Sequence, residues 1–271
     1  MLRLQLKAEA KRLVTSAKPS PLLMALIYVG ITVIISLLLT AILSVYIAVD
    51  GYTDEIQSSM QDVVRSSNAA SYDELVDEIY SDPAVKANIQ KLVDSYTSFL
   101  TNPIAVLLTL ALMFIMGMLN AGLTVFSLNT TNGTSSFSDI LGGFSFILRL
   151  ILYCILTSLF TFLWSLLFVI PGIIASYRYR MALYLLIEHP EMSVLECIRE
   201  SSRMMKGHKA ELFVMDLSFI GWFLLTGLPY FGYAAQIWVM PYYQITNALY
   251  YRYLYGITHR EDYGSPEVNA A

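Results

Sequence analysis

The chain has 271 residues, 56% of them hydrophobic and only 14% charged, with a mean hydropathy of +0.57 and a formal charge of -4. That is more apolar surface than one soluble core of this length requires, so the composition points to a membrane protein, and no nucleic-acid partner is expected. The two cysteines, Cys154 and Cys197, have neither the number nor the spacing of a disulfide framework or a zinc site, and both are expected as free thiols.

Residues 1-21 form a basic segment, with Arg3, Lys7, Lys11, Arg12 and Lys18 against the single acid Glu9. It leads into residues 22-49, an uncharged run of about 42 Å as helix, longer than the roughly 30 Å hydrocarbon core, which reads as a first transmembrane helix. A signal peptide would have a shorter apolar core and a small-residue cleavage site, so a retained span is expected. Residues 50-101 hold ten acids and three bases and are the only long hydrophilic interval. Ser71 with Glu74 reads as a capping box, and Asp82-Pro83 as an N-cap followed by a first-turn proline. Behind them Val85, Ile89, Leu92, Val93, Tyr96 and Phe99 make an apolar stripe, so two or three amphipathic helices are expected in this acidic insert.

Residues 102-256 read as a membrane domain. A second span starts at Pro103, and Gly117, Asn120, Ala121 and Gly122 give it a small, polar patch suited to close helix contact. A polar loop follows from Asn129, then a third span over residues 150-170, which Pro171-Gly172 should break or end. Residues 173-187 are short for a span and contain Arg178 and Arg180. If they cross, every basic cluster falls on one side, in accord with the excess of Lys and Arg on cytoplasmic flanks. Ser193 with Glu196 then starts a short amphipathic helix whose apolar side uses Val194, Ile198 and Met205 and which Gly207 ends; it should lie along the inner membrane surface. Two further spans, over 212-228 and 233-255, are separated by a turn at Pro229 and Gly232, with Trp222, Tyr230, Trp238, Tyr242 and Tyr243 as candidate interface anchors. Residues 257-271 read as a flexible cytoplasmic tail. The fold class is therefore all-α: a polytopic helical membrane protein with about six transmembrane helices, both termini cytoplasmic, an extracytoplasmic helical insert and a cytoplasmic interfacial helix.

From Ser136 onward the chain carries FSDILGGF, FLWSLLFVIPGIIASYRYRMALYLL, HPEMSVLECIRESSRMMKGHKAELFVMDLSFIGWFLL and VMPYYQITNALYYRYL. In this order and spacing, over residues 136-255, they resemble the bacterial integral membrane proteins of domain-of-unknown-function family 975. The resemblance implies a multi-span protein of the bacterial cell membrane without an assigned activity. The proline-glycine break and the ESSRMMKG helix also look distantly like the membrane portion attached to some glycerophosphodiester phosphodiesterases, whose catalytic half is absent here.

Charges at membrane depth are costly and normally face a partner or water, which singles out Arg178, Arg180 and Asp216. Counted from the inner ends of their spans, Arg180 and Asp216 lie at similar depth and are expected to pair, with Arg178 nearer the outer side. Arg199, Arg203, Lys206 and Lys209 are placed for contact with anionic lipid headgroups, although orientation alone would also account for them. Asp73, Glu74, Asp77 and Glu78 lack a calcium-loop pattern and read as a solvated face. His189, His208 and His259 stand alone, so no metal site and no cofactor are expected. Asn120, Gln236, Gln244 and Asn247 are candidates to line a polar path or to bond between helices. No nucleophile elbow or P-loop is present. The expected function is a non-enzymatic scaffold or accessory factor that binds lipid, peptide or another membrane protein; the alternatives are a transporter or export component, then a membrane enzyme acting on lipid.

Overall fold

In a computed structural model, the described residues are 2-46, 49-69, 71-228 and 231-263, and they contain no strand. The elements are α1 (Leu2–Ser16), α2 (Pro21–Tyr46), α3 (Val49–Ser66), α4 (Tyr72–Ser81), α5 (Pro83–Thr101), α6 (Pro103–Asn132) and a 3-10 segment (Phe137–Phe146). There follow α7 (Ile147–Leu167), α8 (Val169–Tyr179), α9 (Ala182–Glu188), α10 (Val194–Met204), α11 (Lys209–Leu217), α12 (Ile220–Thr226) and α13 (Phe231–Tyr263). Among the described residues, three stretches are long and apolar enough to cross a membrane: Pro21–Ser44, Pro103–Asn132 and Phe137–Leu167. The turn expected at Pro229, the anchor at Tyr230 and the tail from residue 264 lie outside the described residues. Residues 257-263 continue α13 as helix where a flexible tail is expected from the sequence.

The chain divides into two compact units, Thr32–Met116 and Met1–Ile31 with Gly117–Ala271. In the smaller unit α3, α4 and α5 pack on one another. The Asp82 carboxylate accepts from the N–H groups of Ala84 and Val85 at 2.8 and 2.9 Å, and Pro83 occupies the first turn, as the spacing predicts. Polar links join the helices: Asn88 donates to Ser59 at 3.1 Å, Lys91 pairs with Glu55 at 3.2 Å, and Ser67 donates to Glu78 at 2.5 Å. The apolar stripe of α5 is covered in part, with Leu92 and Phe99 half-buried. Val85 is buried, whereas Ile89, Val93 and Tyr96 remain exposed, so this unit has a thin core.

The larger unit is a set of helices whose directions follow from side-chain contacts. Phe168, extended at φ -165°, separates α7 from α8. The break thus precedes Pro171-Gly172, which sit in the first turn of α8 and do not end a helix there; proline is tolerated in that turn because its N–H would have no partner within the helix. A Cβ on Gly172 would strike Ser165, so the glycine lets α7 and α8 lie against each other as a hairpin. Phe160 meets Tyr179 at 5.9 Å between ring centroids, and Arg149 donates to the carbonyls of His189 and Met192, which makes α7 antiparallel to the α8–α9 run. Along α9 and α13 the contacts rise together: Arg180 with Tyr243, Tyr184 with Tyr251, Glu188 with Arg252. These two run parallel. Along α11 and α13 they oppose, His208 with Tyr250 and Asp216 with Tyr243. Successive segments therefore alternate in direction.

Tyr250, Tyr251, Ile245 and Leu254 of α13 are fully buried with Met181, Leu185, Met205 and Phe219. The N-terminal segment is built into this unit as well: Ala10 and Val14 of α1 are buried in the same cluster, and Lys7 donates to the Ser218 hydroxyl at 3.0 Å while its ammonium lies 4.3 Å from the Phe219 ring centroid.

Helices in lipid gain little from burying one apolar surface against another, so close backbone approach and polar links must supply specificity. Gly122 shows this. A Cβ there would collide with the carbonyl of Ile140, and a Cβ on Gly143 would collide with that of Met118, so α6 and the 3-10 segment interlock at paired glycines. Gly117, in the same small-residue patch, faces open space. Gly122→Ala should therefore lower the thermal stability of the detergent-solubilised protein, by about 1–3 kcal/mol as for overpacking elsewhere, and Gly117→Ala should leave it unchanged.

Candidate functional site

The helical run from α8 to α9 is interrupted at Arg180 and Met181, and the run from α11 to α12 at Ser218 and Phe219. The two interruptions are joined. Arg180 Nη1 lies 2.5 Å from Asp216 Oδ2, and its other nitrogen 3.4 Å from Oδ1. Tyr177 donates to Asp216 Oδ2 at 2.8 Å and Tyr243 to Oδ1 at 3.0 Å, while Arg180 also donates to the Tyr243 hydroxyl. Both carboxylate oxygens are thus shared among one guanidinium and two phenols. Tyr177 and Tyr243 also set their rings 5.6 and 5.7 Å from the guanidinium carbon. The sequence alone pairs Arg180 with Asp216, but it treats Tyr243 as an interface anchor; the structure places Tyr243 in the charge network and buries Tyr242.

An interrupted helix leaves backbone groups without partners, which is costly away from water. Ser201, fully buried on α10, meets this need. Its hydroxyl donates to the carbonyl of Arg178 at 2.9 Å and accepts from the N–H of Met181 at 3.1 Å. The apolar face of α10, with Val194, Cys197, Ile198 and Met204, is packed in protein. α10 thus serves as a plug for the interruption. Its start is fixed by Ser193 and Glu196, whose reciprocal capping bonds are both made. Bonds from the Ser193 backbone and side chain hold the Glu196 carboxyl below the usual carboxylate range. The cap's contribution is therefore present above that range and fades as pH falls through the lowered value. Burial pushes the Cys197 thiol up, so it stays protonated at neutral pH.

Beside the pair lies a cavity of 630 Å³ between α6, α7, α8, α9 and α13. Asn120, Tyr153, Arg180, Tyr243, Gln244 and Asn247 line it together with several Ser and Thr hydroxyls. Three of the four amides predicted for a polar path thus meet here; Gln236 does not. Asn247 is buried, its amide nitrogen donates to the Tyr243 carbonyl at 2.8 Å, and its Oδ1 has no partner. A carbonyl acceptor fixes the orientation of that amide, so the unused atom is the oxygen.

The remaining predicted residues separate. Arg178 is exposed on a groove with Lys206 and Lys209. Arg203 pairs with Glu200 at 3.0 Å, and Arg199 is exposed. A second ion pair, absent from the sequence reading, joins Arg252 to Glu188 at 2.6 Å, and Arg252 also donates to Thr131. Each histidine lies beside one glutamate, His189 by Glu191, His208 by Glu211 and His259 by Glu200 at 3.8 Å, and His259 also contacts the Tyr255 carbonyl. Among the described residues no group of three His, Cys, Asp or Glu is placed to hold a metal ion, and Asp73, Glu74, Asp77 and Glu78 are exposed.

The family described as Protein of unknown function (DUF975) matches residues 1–258. The chain belongs to this family. No curated protein and no solved structure matches it. The family match takes in the resemblance over 136-255 and extends it through the acidic insert and α1, so the cavity, both interruptions and the α10 plug all lie within the family's span. Three apolar stretches of that span accord with membrane association.

Ser201→Ala should leave the Met181 N–H and the Arg178 carbonyl unpaired, at a cost of about 1–3 kcal/mol. In a Cys154→Ser background, Cys197 should then react faster with a maleimide dye than in the Ser201 protein, because α10 opens more often. An unchanged labelling rate would mean that Ser201 does not hold α10 in place.

Proposed function

We propose that this is an integral protein of a bacterial plasma membrane with about six spans and both terminal segments cytoplasmic. To the apolar α2, α6 and α7 it adds α8–α9, α11–α12 and α13, whose alternating directions suit consecutive crossings. Interruption at Arg180 and at Ser218 explains why two of these are not single long helices. On this reading the chain acts without catalysis, holding a polar ligand or a membrane partner, as an accessory factor or scaffold. The observation that carries the binding reading is the polar cavity walled by the amides of Asn120, Gln244 and Asn247 and by several hydroxyls. Hydroxyls of its wall, those of Thr124, Thr157 and Ser165, donate to carbonyls one turn back in their own helices, an arrangement that favours binding over nucleophilic attack. The apolar groove of the smaller unit, lined by Ile56, Met60, Val64 and Ile79, adds a surface suited to a helical partner.

Transport or export is the second reading. It is favoured by the two interrupted helices meeting at a charge pair beside a polar cavity, an arrangement that carriers use for solute and ion sites.

Two measurements test these readings. Paired topology reporters placed within residues 50-101 and after Phe231 should report outside, and those after His189, His208 and His259 inside; an outside result at His189 and His208 removes the crossing by α8–α9. In proteoliposomes loaded with a pH dye, no proton flux is expected, together with a stable co-purifying partner. Flux that disappears in Asn247→Leu would replace the accessory reading with transport.

A further inference from the structure

Several arginines within the larger unit are held by carboxylates or carbonyls. Arg180 has Asp216, Arg252 has Glu188, Arg203 has Glu200, and Arg149 donates to two backbone carbonyls. Arg178, Lys206 and Lys209 are different. None has a carboxylate partner among the described residues, and all three line one groove of 400 Å³. Their convergence is built by the backbone. Pro171, Ile174, Ala175 and Arg178 share one face of α8 through their spacing of three and four residues. Gly207, at φ +86°, turns the chain after α10 so that Lys206 before it and Lys209 after it both reach that face. Only glycine adopts such a φ without strain.

Apart from Ser202, whose hydroxyl donates to the Ile198 carbonyl at 2.8 Å, the remaining wall is apolar. Trp164 of α7 and Ile174 are its large side chains, and both stay partly exposed. They continue into the exposed Leu163, Leu167, Ile170 and Ile173, which form the apolar outer face of the α7–α8 hairpin. Three like charges held together repel one another unless an anion lies between them, and an adjoining apolar wall suits a ligand with a hydrocarbon body. We propose that the groove binds an acidic phospholipid, its phosphate held by Arg178, Lys206 and Lys209 and the first carbons of its chains lying on Trp164 and Ile174. The assignment rests on the membrane reading above. It also revises the sequence-based headgroup set: Lys206 and Lys209 stay, Arg178 joins, and Arg199 and Arg203 leave.

The test uses the full chain, with Trp222→Phe and Trp238→Phe so that Trp164 alone fluoresces, reconstituted into vesicles with chain-brominated phosphatidylglycerol or phosphatidylcholine. Brominated phosphatidylglycerol should quench Trp164 at a roughly tenfold lower mole fraction than brominated phosphatidylcholine. Arg178→Gln/Lys206→Gln/Lys209→Gln should abolish that preference, Arg178→Lys/Lys206→Arg/Lys209→Arg should keep it, and Arg199→Gln/Arg203→Gln should leave it unchanged. Equal quenching by the two lipids overturns the proposal, as does loss of preference in Arg199→Gln/Arg203→Gln or its displacement by inorganic phosphate, which would identify a site for a soluble anion. Absence of quenching by either lipid would instead contradict the membrane reading itself. Should the triple glutamine variant fail to fold, lipid retained by purified single variants decides: phosphatidylglycerol enrichment over phosphatidylethanolamine should fall in Lys206→Gln and in Lys209→Gln, and unchanged enrichment in both overturns the site.

Discussion

Asp216 accepts from Arg180, Tyr177 and Tyr243, and so a single carboxylate ties α8, α11, α13 and both helix interruptions together. A buried ion pair adds little net stability compared with apolar packing, because desolvation offsets most of the attraction, yet removing one partner is costly. Its value here is therefore specificity. Apolar helices in lipid can slide or rotate past one another at small cost, whereas this carboxylate accepts only one register of three segments. Once that register is set, the Arg178 carbonyl and Met181 N–H left open by the interruption face Ser201, and α10 has a defined seat.

Much of this order can be read from the residues, and the boundary has a physical origin. Charges stand out in an apolar chain, so Arg180 and Asp216 are conspicuous and their depths can be compared. Caps are equally legible, since Ser193 with Glu196 and Asp82 with Pro83 satisfy their backbone groups locally. Gly122 is visible as a small residue, but nothing in the sequence separates it from Gly117, because the difference lies in what Ile140 brings from another element. Tyr243 and Ser201 are missed for the same reason. Tyrosine and serine are common in such chains, and only the fold shows which hydroxyl meets an unpaired group. The proline-glycine step misleads by one turn, because proline in an opening helical turn looks like a terminator when the real break is the extended Phe168. The apolar stripe of α5 predicts a helix correctly but overstates its burial, which depends on partners that the stripe does not specify.

The larger unit combines interrupted helices, a polar cavity, and bases gathered on a groove. The cavity and the groove are chemically distinct. The first is walled by amides and hydroxyls around Asn247, and the second by cations against Trp164 and Ile174. The chain between them, from Tyr177 to Lys209, includes the α10 plug, so a change at either surface acts on the same short stretch. On the proposed reading, lipid at the groove and ligand in the cavity would affect one another through α10.

The Asp216 carboxylate sets the register of the larger unit through Arg180. The most direct measurement is the yield of monodisperse, folded protein from Arg180→Glu, Asp216→Arg and the double reversal. Each single reversal opposes two like charges and should lose most folded protein, as expected for a loss of about 3–5 kcal/mol; the double reversal should recover a substantial part of it. A double variant no better than the worse single would show that the two residues act independently and that the register is set elsewhere.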